Sequence, residues 1–197
     1  MNGKNYNAEM LKIAESSKGQ RLLLHACRAP CASACLERLH DSFRITAFFY
    51  NPNIEEGEYF KRKRELERFL DETGWADLAD CGHDASEFYS AAAGLETCKE
   101  GGARCAKCFY LRLERTALKA KAEGYDYFAT TLTLSPLKDA GLINRIGYGL
   151  QEKHGVKWLC SDFKKADGYK RSLELSKEHN LYRQNYCGCI FSRNGLD

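Results

Sequence analysis

An alternation of short apolar runs with amphipathic stretches constrains the fold of this 197-residue chain most strongly. The apolar runs predict buried strands at residues 21–26, 44–50, 126–132 and 156–160, with a weaker one at 75–81. The stretches between them predict helices at residues 30–40, 55–73, 103–123, 138–154 and 169–179. Three of these end at a glycine, the residue expected just past a helix end. This alternation predicts an α/β fold, a parallel sheet with helices on both faces.

The length and the 44% of hydrophobic residues indicate a single domain with its own core. We expect residues 20–192 to form this α/β domain, with a redox tail at its end. Residues 1–19 are then an N-terminal helical extension, and residues 193–197 are the C-terminal end. The net charge of +3 is too small to identify a polyanionic partner by itself.

The N-terminal residues lack the apolar core of a signal peptide, and no later run approaches the roughly 20 apolar residues of a membrane span. We therefore expect a cytoplasmic protein that does not bind a membrane. Ten cysteines would indicate a disulfide scaffold in a short secreted chain. In a cytoplasmic protein they indicate metal or redox chemistry instead.

Four cysteines have the positions of metal ligands. Cys105 and Cys108 fall in the first turns of a predicted helix, share one face, and feel amide dipoles that favour the thiolate. Cys27 follows the first strand, and Cys31 lies just inside the next helix. Because the carboxyl ends of parallel strands meet at one edge, all four thiols can face one crevice. Such a set fits either tetrahedral zinc or an iron–sulfur cluster.

The sequence YCGC near the end of the chain places Cys187 and Cys189 one glycine apart. A disulfide between such neighbours closes a small strained ring, and strained disulfides are the labile, more oxidising ones. Gly188 lacks a side chain and can adopt the backbone angles that bring the two thiols together. The pair therefore indicates an electron gate beside a metal site, which favours iron–sulfur over structural zinc. The alternative is that both thiols stay reduced and inert.

The other chemistry-bearing residues have simpler interpretations. Cys35 continues from Cys31 at helical spacing, so we expect it in the core. Cys81 and Cys160 end strands and receive the same interpretation. His25 lies within a buried strand, where a core histidine with both nitrogens bonded is expected more often than a ligand.

Several segments, in order and at similar spacing over residues 20–192, resemble the epoxyqueuosine reductase QueH family: LLLHACRAPC, FFYNPNI, GGARCAKCFYLRLERT, FATTLTLSPLKD and YRQNYCGCIFS among them. The resemblance implies a Rossmann-like fold of the adenine-nucleotide α-hydrolase-like group. It also implies an oxidoreductase acting at the last step of queuosine biosynthesis. In that step the epoxide of epoxyqueuosine, in the anticodon loop of tRNA, is reduced to the alkene with two electrons and two protons, and water is released.

By position, the resemblance makes Cys27, Cys105 and Cys108 ligands of a [4Fe-4S] cluster and allows for an additional iron ion. It makes Cys187 and Cys189 a redox-active disulfide pair. The electron donor is not identified by the sequence.

One position departs from the family pattern. The family usually has two adjacent cysteines after the first strand, and here the second is Arg28, which cannot replace a thiolate. Cys31 is then the candidate fourth ligand, and Cys98 a weaker one. In a further alternative the fourth iron is open and binds the substrate oxygen as a Lewis acid.

Proton donors and tRNA contacts are less sharply defined. Asp139 and Tyr110 are the candidate acids for the departing oxygen. The cations that can contact phosphate are Lys61, Arg62, Lys63, Arg64, Lys170, Arg171 and Arg183. The tyrosines that can stack on a splayed base are Tyr50, Tyr169 and Tyr186. Two alternatives stay open: a zinc- or cluster-stabilised module that binds tRNA or a nucleotide without catalysis, and a family member made inactive by Arg28.

Overall fold

A computed structural model describes residues 4–79, 81–184 and 186–193 of the chain. Within them, five parallel strands form one sheet in the order β3-β2-β1-β4-β5. The strands are β1 (Gln20–His25), β2 (Phe43–Phe48), β3 (Asp77–Ala79), β4 (Tyr127–Thr130) and β5 (Lys157–Trp158). The predicted parallel sheet is confirmed, and its strand order is that of Rossmann-like folds.

Helices flank this sheet. They are α1 (Tyr6–Ser16), α2 (Ala29–Leu39), α3 (Glu56–Thr73), α4 (Ser86–Ala92), α5 (Ala103–Ala122), α6 (Ala140–His154), α7 (Gly168–Glu178) and α8 (Ile190–Arg193), with a 3-10 turn at Thr131–Leu134. One layer packs α2 against α3 and α7, and another packs α5 against α4 and α6. The five predicted helices are confirmed to within two residues at each end, whereas α4 and α8 were not predicted.

The ends of two helices follow the predicted glycines. Gly74 and Gly155 have φ of 64° and 73°, and their amides bond back to carbonyls of α3 and α6. A residue with a Cβ is disfavoured at such left-handed angles. Among the described residues, no helix is both long and apolar enough to span a membrane.

His25 ties together the ends of three adjacent strands. Its Nδ1 lies 2.9 Å from Oγ1 of Thr130, and its Nε2 lies 3.0 Å from the carbonyl oxygen of Tyr50. Burial lowers the pKa of His25 to about 3, so the ring is neutral at pH 7. The core interpretation of His25 is confirmed, as are those of Cys35 and Cys160, which are fully buried. For Cys81 that interpretation was wrong, because this cysteine is exposed. The bonding of His25 fixes the edge of the sheet from which the candidate site is built.

Candidate active site

The order of the sheet reverses between β1 and β4, which are neighbours although two strands separate them in sequence. In open α/β sheets, ligands bind outside the carboxyl ends of the strands at such a point. Cys27 lies just after β1 and Thr131 just after β4, and their Sγ and Oγ1 atoms are 4.0 Å apart. Cys27 therefore lies where this fold places its ligands.

An inner cavity of about 20 Å³ lies beside Cys27. Two thiols reach it from the connection between β1 and α2, and a third comes from the segment after α7, which we call the tail (residues 181–184 and 186–193). The inner cavity is lined by Cys27, Arg28, Cys31, Arg112, Leu132, Ser135, Lys138 and Cys187. The structure thus brings together three of the predicted cysteines from distant parts of the sequence.

Arg28 bonds to a thiol and to the tail. Its Nε donates to Sγ of Cys31 at 3.0 Å, and its Nη1 donates to the carbonyl oxygen of Gln184, also at 3.0 Å. A hydrogen bond from Cys27 lowers the pKa of Cys31, and the charge of Arg28 lowers it further. The same thiol–thiol bond, with burial, raises the pKa of Cys27. Cys31 is therefore the thiolate of this pair.

The CxC pair adopts a conformation that requires its glycine. Gly188 has a φ of 108°, and a Cβ built on it would lie 2.7 Å from Nη1 of Arg62. None of the ten cysteines forms a disulfide in the described part of the chain. A hydrogen bond from Cys189 lowers the pKa of Cys187 and raises that of Cys189. The two thiols are therefore adjacent, as the sequence predicted, with the proton held on Cys189.

Cys105 and Cys108 do not line the inner cavity, although Cys108 is close enough to its residues Arg112, Cys187 and Lys138 for their charges to affect its pKa. Cys108 is buried with Phe88 and Cys189 in a small apolar cluster, and burial raises the pKa of Cys108 to about 11. Cys105 is partly buried, and its Sγ accepts a hydrogen bond from the Gly101 amide at 3.3 Å. In the described ranges, no three His, Cys, Asp or Glu side chains converge closely enough to hold a single metal ion. The four-cysteine ligand set stays a prediction.

Arg112, which was not predicted as a site residue, is 1% exposed and lines the inner cavity. Its Nε donates to the carbonyl oxygen of Cys108 at 3.3 Å, while its buried Nη2 has no hydrogen-bond partner in the described part of the chain. The spacing of Cys105, Cys108 and Arg112 places all three on one face of α5, so helical periodicity was a usable signal. Lys138 was missed as well, although it lines the same cavity.

The two candidate proton donors lie elsewhere. Asp139 is exposed, and its Oδ1 accepts the Leu142 amide at 3.1 Å, so it caps α6. Tyr110 lies on the surface, where its hydroxyl donates to Glu114 and accepts from Lys153, each at 3.1 Å. Neither residue lines the inner cavity. The structure gives each another role, and their part in catalysis stays a prediction.

The basic residues divide into buried and exposed groups. Arg62 is 1% exposed and therefore cannot contact phosphate, which corrects the expectation for that residue. Lys61 lies over the ring of Tyr182, with Nζ 3.4 Å from its centroid. Arg171 pairs with three carboxylates, those of Glu37, Glu174 and Glu178. Arg64, Lys170 and Arg183 are exposed.

An outer cavity of about 190 Å³ adjoins the inner one and shares its residues Arg28, Cys31, Ser135, Lys138 and Cys187. Tyr169 and Tyr186, two of the tyrosines proposed to stack on a base, line it. The third, Tyr50, is 6% exposed and donates its hydroxyl proton to Glu87. A small organic group in this cavity would be lined by both tyrosines and by the thiols of Cys31 and Cys187.

Comparison with known proteins identifies the family. A family model described as epoxyqueuosine reductase QueH matches residues 22–195. A protein of that name from Staphylococcus epidermidis is 41% identical, over 98% of this chain and 87% of its own length. One from Streptococcus pyogenes is 39% identical over 95% of this chain and 78% of its own length. One from Thermotoga maritima is 36% identical over 87% of this chain and 89% of its own length. The chain belongs to the epoxyqueuosine reductase QueH family.

Proposed function

We propose that this oxidoreductase reduces epoxyqueuosine to queuosine in the tRNA anticodon loop, using a [4Fe-4S] cluster and the Cys187–Cys189 pair. The reaction takes up two electrons and two protons, breaks both carbon–oxygen bonds of the epoxide, forms the alkene and releases water. Curated relatives that match nearly the whole chain are named epoxyqueuosine reductase QueH, and this supports the assignment of the reaction.

The buried charge of Arg112 is the observation that carries the cofactor part of the proposal. The guanidinium is 1% exposed, and in the described ranges it forms no ion pair and leaves Nη2 without a partner. A buried charge costs several kcal/mol unless it is paired, and the nearby groups that can oppose the charge of Arg112 are cysteine thiols, among them those of Cys108 and Cys187. An anionic group at the thiol site would offset this cost, and iron-bound thiolates are such a group.

Arg28 and Lys138 add two more cations to the same site, since both line the inner cavity with Arg112. The donors facing them are soft thiols on separate segments of the chain, the kind of donor that iron–sulfur clusters use. Charge and donor chemistry therefore both fit the cluster. The inner cavity of about 20 Å³ has room for one water molecule, so we expect the tail to shift outward when the cluster binds.

The residues that would hold the cluster are Cys27, Cys105 and Cys108, with Cys31 as the fourth ligand. Bound there, it would supply electrons, and with its fourth iron open instead of bound to Cys31 it would also polarise the departing oxygen. An additional iron ion stays a prediction without support from the geometry.

The chain's own residues supply the remaining chemistry. In the CxC pair, Cys189 holds a proton and Cys187 is the more acidic group. Oxidation of the pair to a disulfide releases the two electrons that the reaction consumes and the proton of Cys189, and the second proton comes from Lys138. An external reductant then returns the disulfide to the dithiol. Lys138, which lines both cavities, is better placed than Asp139 to protonate the departing oxygen.

The test is reduction of epoxyqueuosine in tRNA by protein reconstituted under anaerobic conditions and supplied with a strong reductant. We expect brown protein, and mass spectrometry of the digested tRNA should show the loss of one oxygen. Unchanged epoxide in the presence of an intact cluster would contradict the proposed function. Colourless protein with stoichiometric zinc would favour the binding module without catalysis.

A further inference from the structure

The outer cavity has an uneven distribution of charge. In the described part of the chain its lining includes three cations, Arg28, Lys138 and Arg183, and a single carboxylate, that of Glu100. The cavity floor is formed by buried residues such as Cys31, which is 6% exposed, whereas Glu100 is exposed at the mouth. A positively charged ligand group entering this cavity would be repelled by Arg28 and Lys138, which also line the inner cavity, and attracted by Glu100 at the mouth. The third cation, Arg183, is exposed like Glu100.

Glu100 is available to a ligand. Within residues 4–79, 81–184 and 186–193 it forms no hydrogen bond or ion pair through its side chain, although Lys138 and Arg183 line the same cavity. Its loop is nevertheless held in place. Arg104, which is 4% exposed, donates from Nη1 to the carbonyl oxygens of Leu95 and Glu96 at 2.9 and 2.7 Å. An unpaired carboxylate on an anchored loop is positioned to bind a cation.

We infer that Glu100 binds the secondary ammonium group of epoxyqueuosine and so orients the epoxide toward the floor of the cavity; this inference rests on the proposed function. In epoxyqueuosine an aminomethyl link joins the deazaguanine ring to the epoxycyclopentane, and this amine is protonated at neutral pH. With the ammonium held at Glu100, the oxygen-rich ring beyond it lies toward Cys31 and Cys187. Glu100 is thus a specificity-determining residue.

Two nucleosides that share one ring system but differ in charge isolate this contact. The first is 7-aminomethyl-7-deazaguanosine, which carries an ammonium group, and the second is the neutral 7-cyano-7-deazaguanosine. Binding of each is measured by calorimetry to the reconstituted wild-type protein and to the Glu100→Gln variant. We expect the substitution to weaken binding of the aminomethyl compound about tenfold and to leave the cyano compound unchanged.

The matched control is Glu152→Gln, which removes an exposed carboxylate on α6 that lines neither cavity. We expect it to bind both nucleosides as the wild type does. With epoxyqueuosine-containing tRNA, Glu100→Gln should raise KM about tenfold with kcat little changed.

Two results would overturn the inference: equal binding of the aminomethyl compound by wild type and Glu100→Gln, or an equal loss for both nucleosides, which would indicate a structural role. These binding measurements need no turnover. A wild-type protein that binds the nucleosides as expected but leaves the epoxide intact would therefore reject the proposed function and retain the cation site.

Discussion

Nη1 of Arg62 donates a hydrogen bond to the carbonyl oxygen of Cys187 at 2.9 Å, across 125 positions of sequence. The Nε of the same side chain bonds to Oε1 of Glu58 at 2.7 Å, so the guanidinium is fixed on α3. It packs directly against Gly188. A residue that looked like part of an exposed basic run is thus the support on which the CxC pair rests.

The first prediction concerns Gly188. Alanine there must keep a φ near 108° and would meet Arg62, so we expect Gly188→Ala to lower the free energy of unfolding by about 1–3 kcal/mol. Chemical denaturation measures the change. Gly149→Ala is the control, since its Cβ would meet nothing within 4 Å on α6, and it should stabilise the protein by about 0.5–1 kcal/mol. A Gly188→Ala protein as stable as the wild type would show that the tail is held in another way.

The contrast between Arg62 and Gly74 shows what the sequence could predict. Gly74 ends α3 as expected because a helix end is a local event, readable from the residues within one turn. The role of Arg62 depends on a tail that returns from 125 positions away, which no local pattern encodes. The seven-residue α4 was missed because it spans only two turns and has too few apolar positions for a periodic signal.

The candidate site divides in the same way. Cys27 and Cys31 lie together at the carboxyl edge of the sheet, as predicted, because the α/β pattern shows which segments follow the strands. Asp139 was assigned to catalysis, although an aspartate just before an apolar helical stretch is also the usual cap. The face that Arg112 occupies was readable from helical spacing. That Nη2 of Arg112 is left without a hydrogen-bond partner could not be predicted, because it depends on how the tail and the β1–α2 connection pack around it.

The second prediction separates ligands from core cysteines. Cys105→Ala and Cys108→Ala should each abolish cluster binding, measured as iron per chain and visible absorption after reconstitution. Cys35→Ala and Cys160→Ala should keep the cluster at a cost of about 1 kcal/mol in stability, since both are fully buried. A full cluster in both the Cys105→Ala and the Cys108→Ala proteins would remove α5 from the ligand set.

The third prediction concerns Arg28, whose Nε lies 3.0 Å from Sγ of Cys31. Arg28→Cys adds a thiol beside Cys27, and we expect its iron content to exceed that of Arg28→Ala. Both variants lose the hydrogen bonds to Gln184, so the comparison isolates the effect of the added thiol. Equal iron content in the two proteins would mean that this position does not take part in binding iron.

The fourth prediction is a pH dependence due to His25. Its pKa is about 3 in the folded protein and 6.5 in an unfolded chain, so at intermediate pH the unfolded chain binds the proton. The stability that depends on neutral His25 is therefore present above pH 6.5 and lost as the pH falls toward 3. Denaturation at a series of pH values should show the free energy of unfolding falling by up to about 1.4 kcal/mol per pH unit below pH 6. This fall comes in addition to any fall that the His25→Gln protein shows. Parallel curves for the two proteins would contradict this assignment.

The last prediction concerns the CxC pair. Cys187 and Cys189 are adjacent thiols, and a disulfide between them would be strained, so we expect it to be reduced readily after each turnover. Cys187→Ser and Cys189→Ser should each keep nearly normal iron content but lose multiple turnovers, counted by mass spectrometry of the tRNA product. Cys81→Ser, which changes an exposed cysteine that lines neither cavity, should behave as the wild type. If both CxC variants turn over at the wild-type rate with the same reductant, the pair does not gate electrons, and its place beside Cys108 would then indicate metal ligands or spectators.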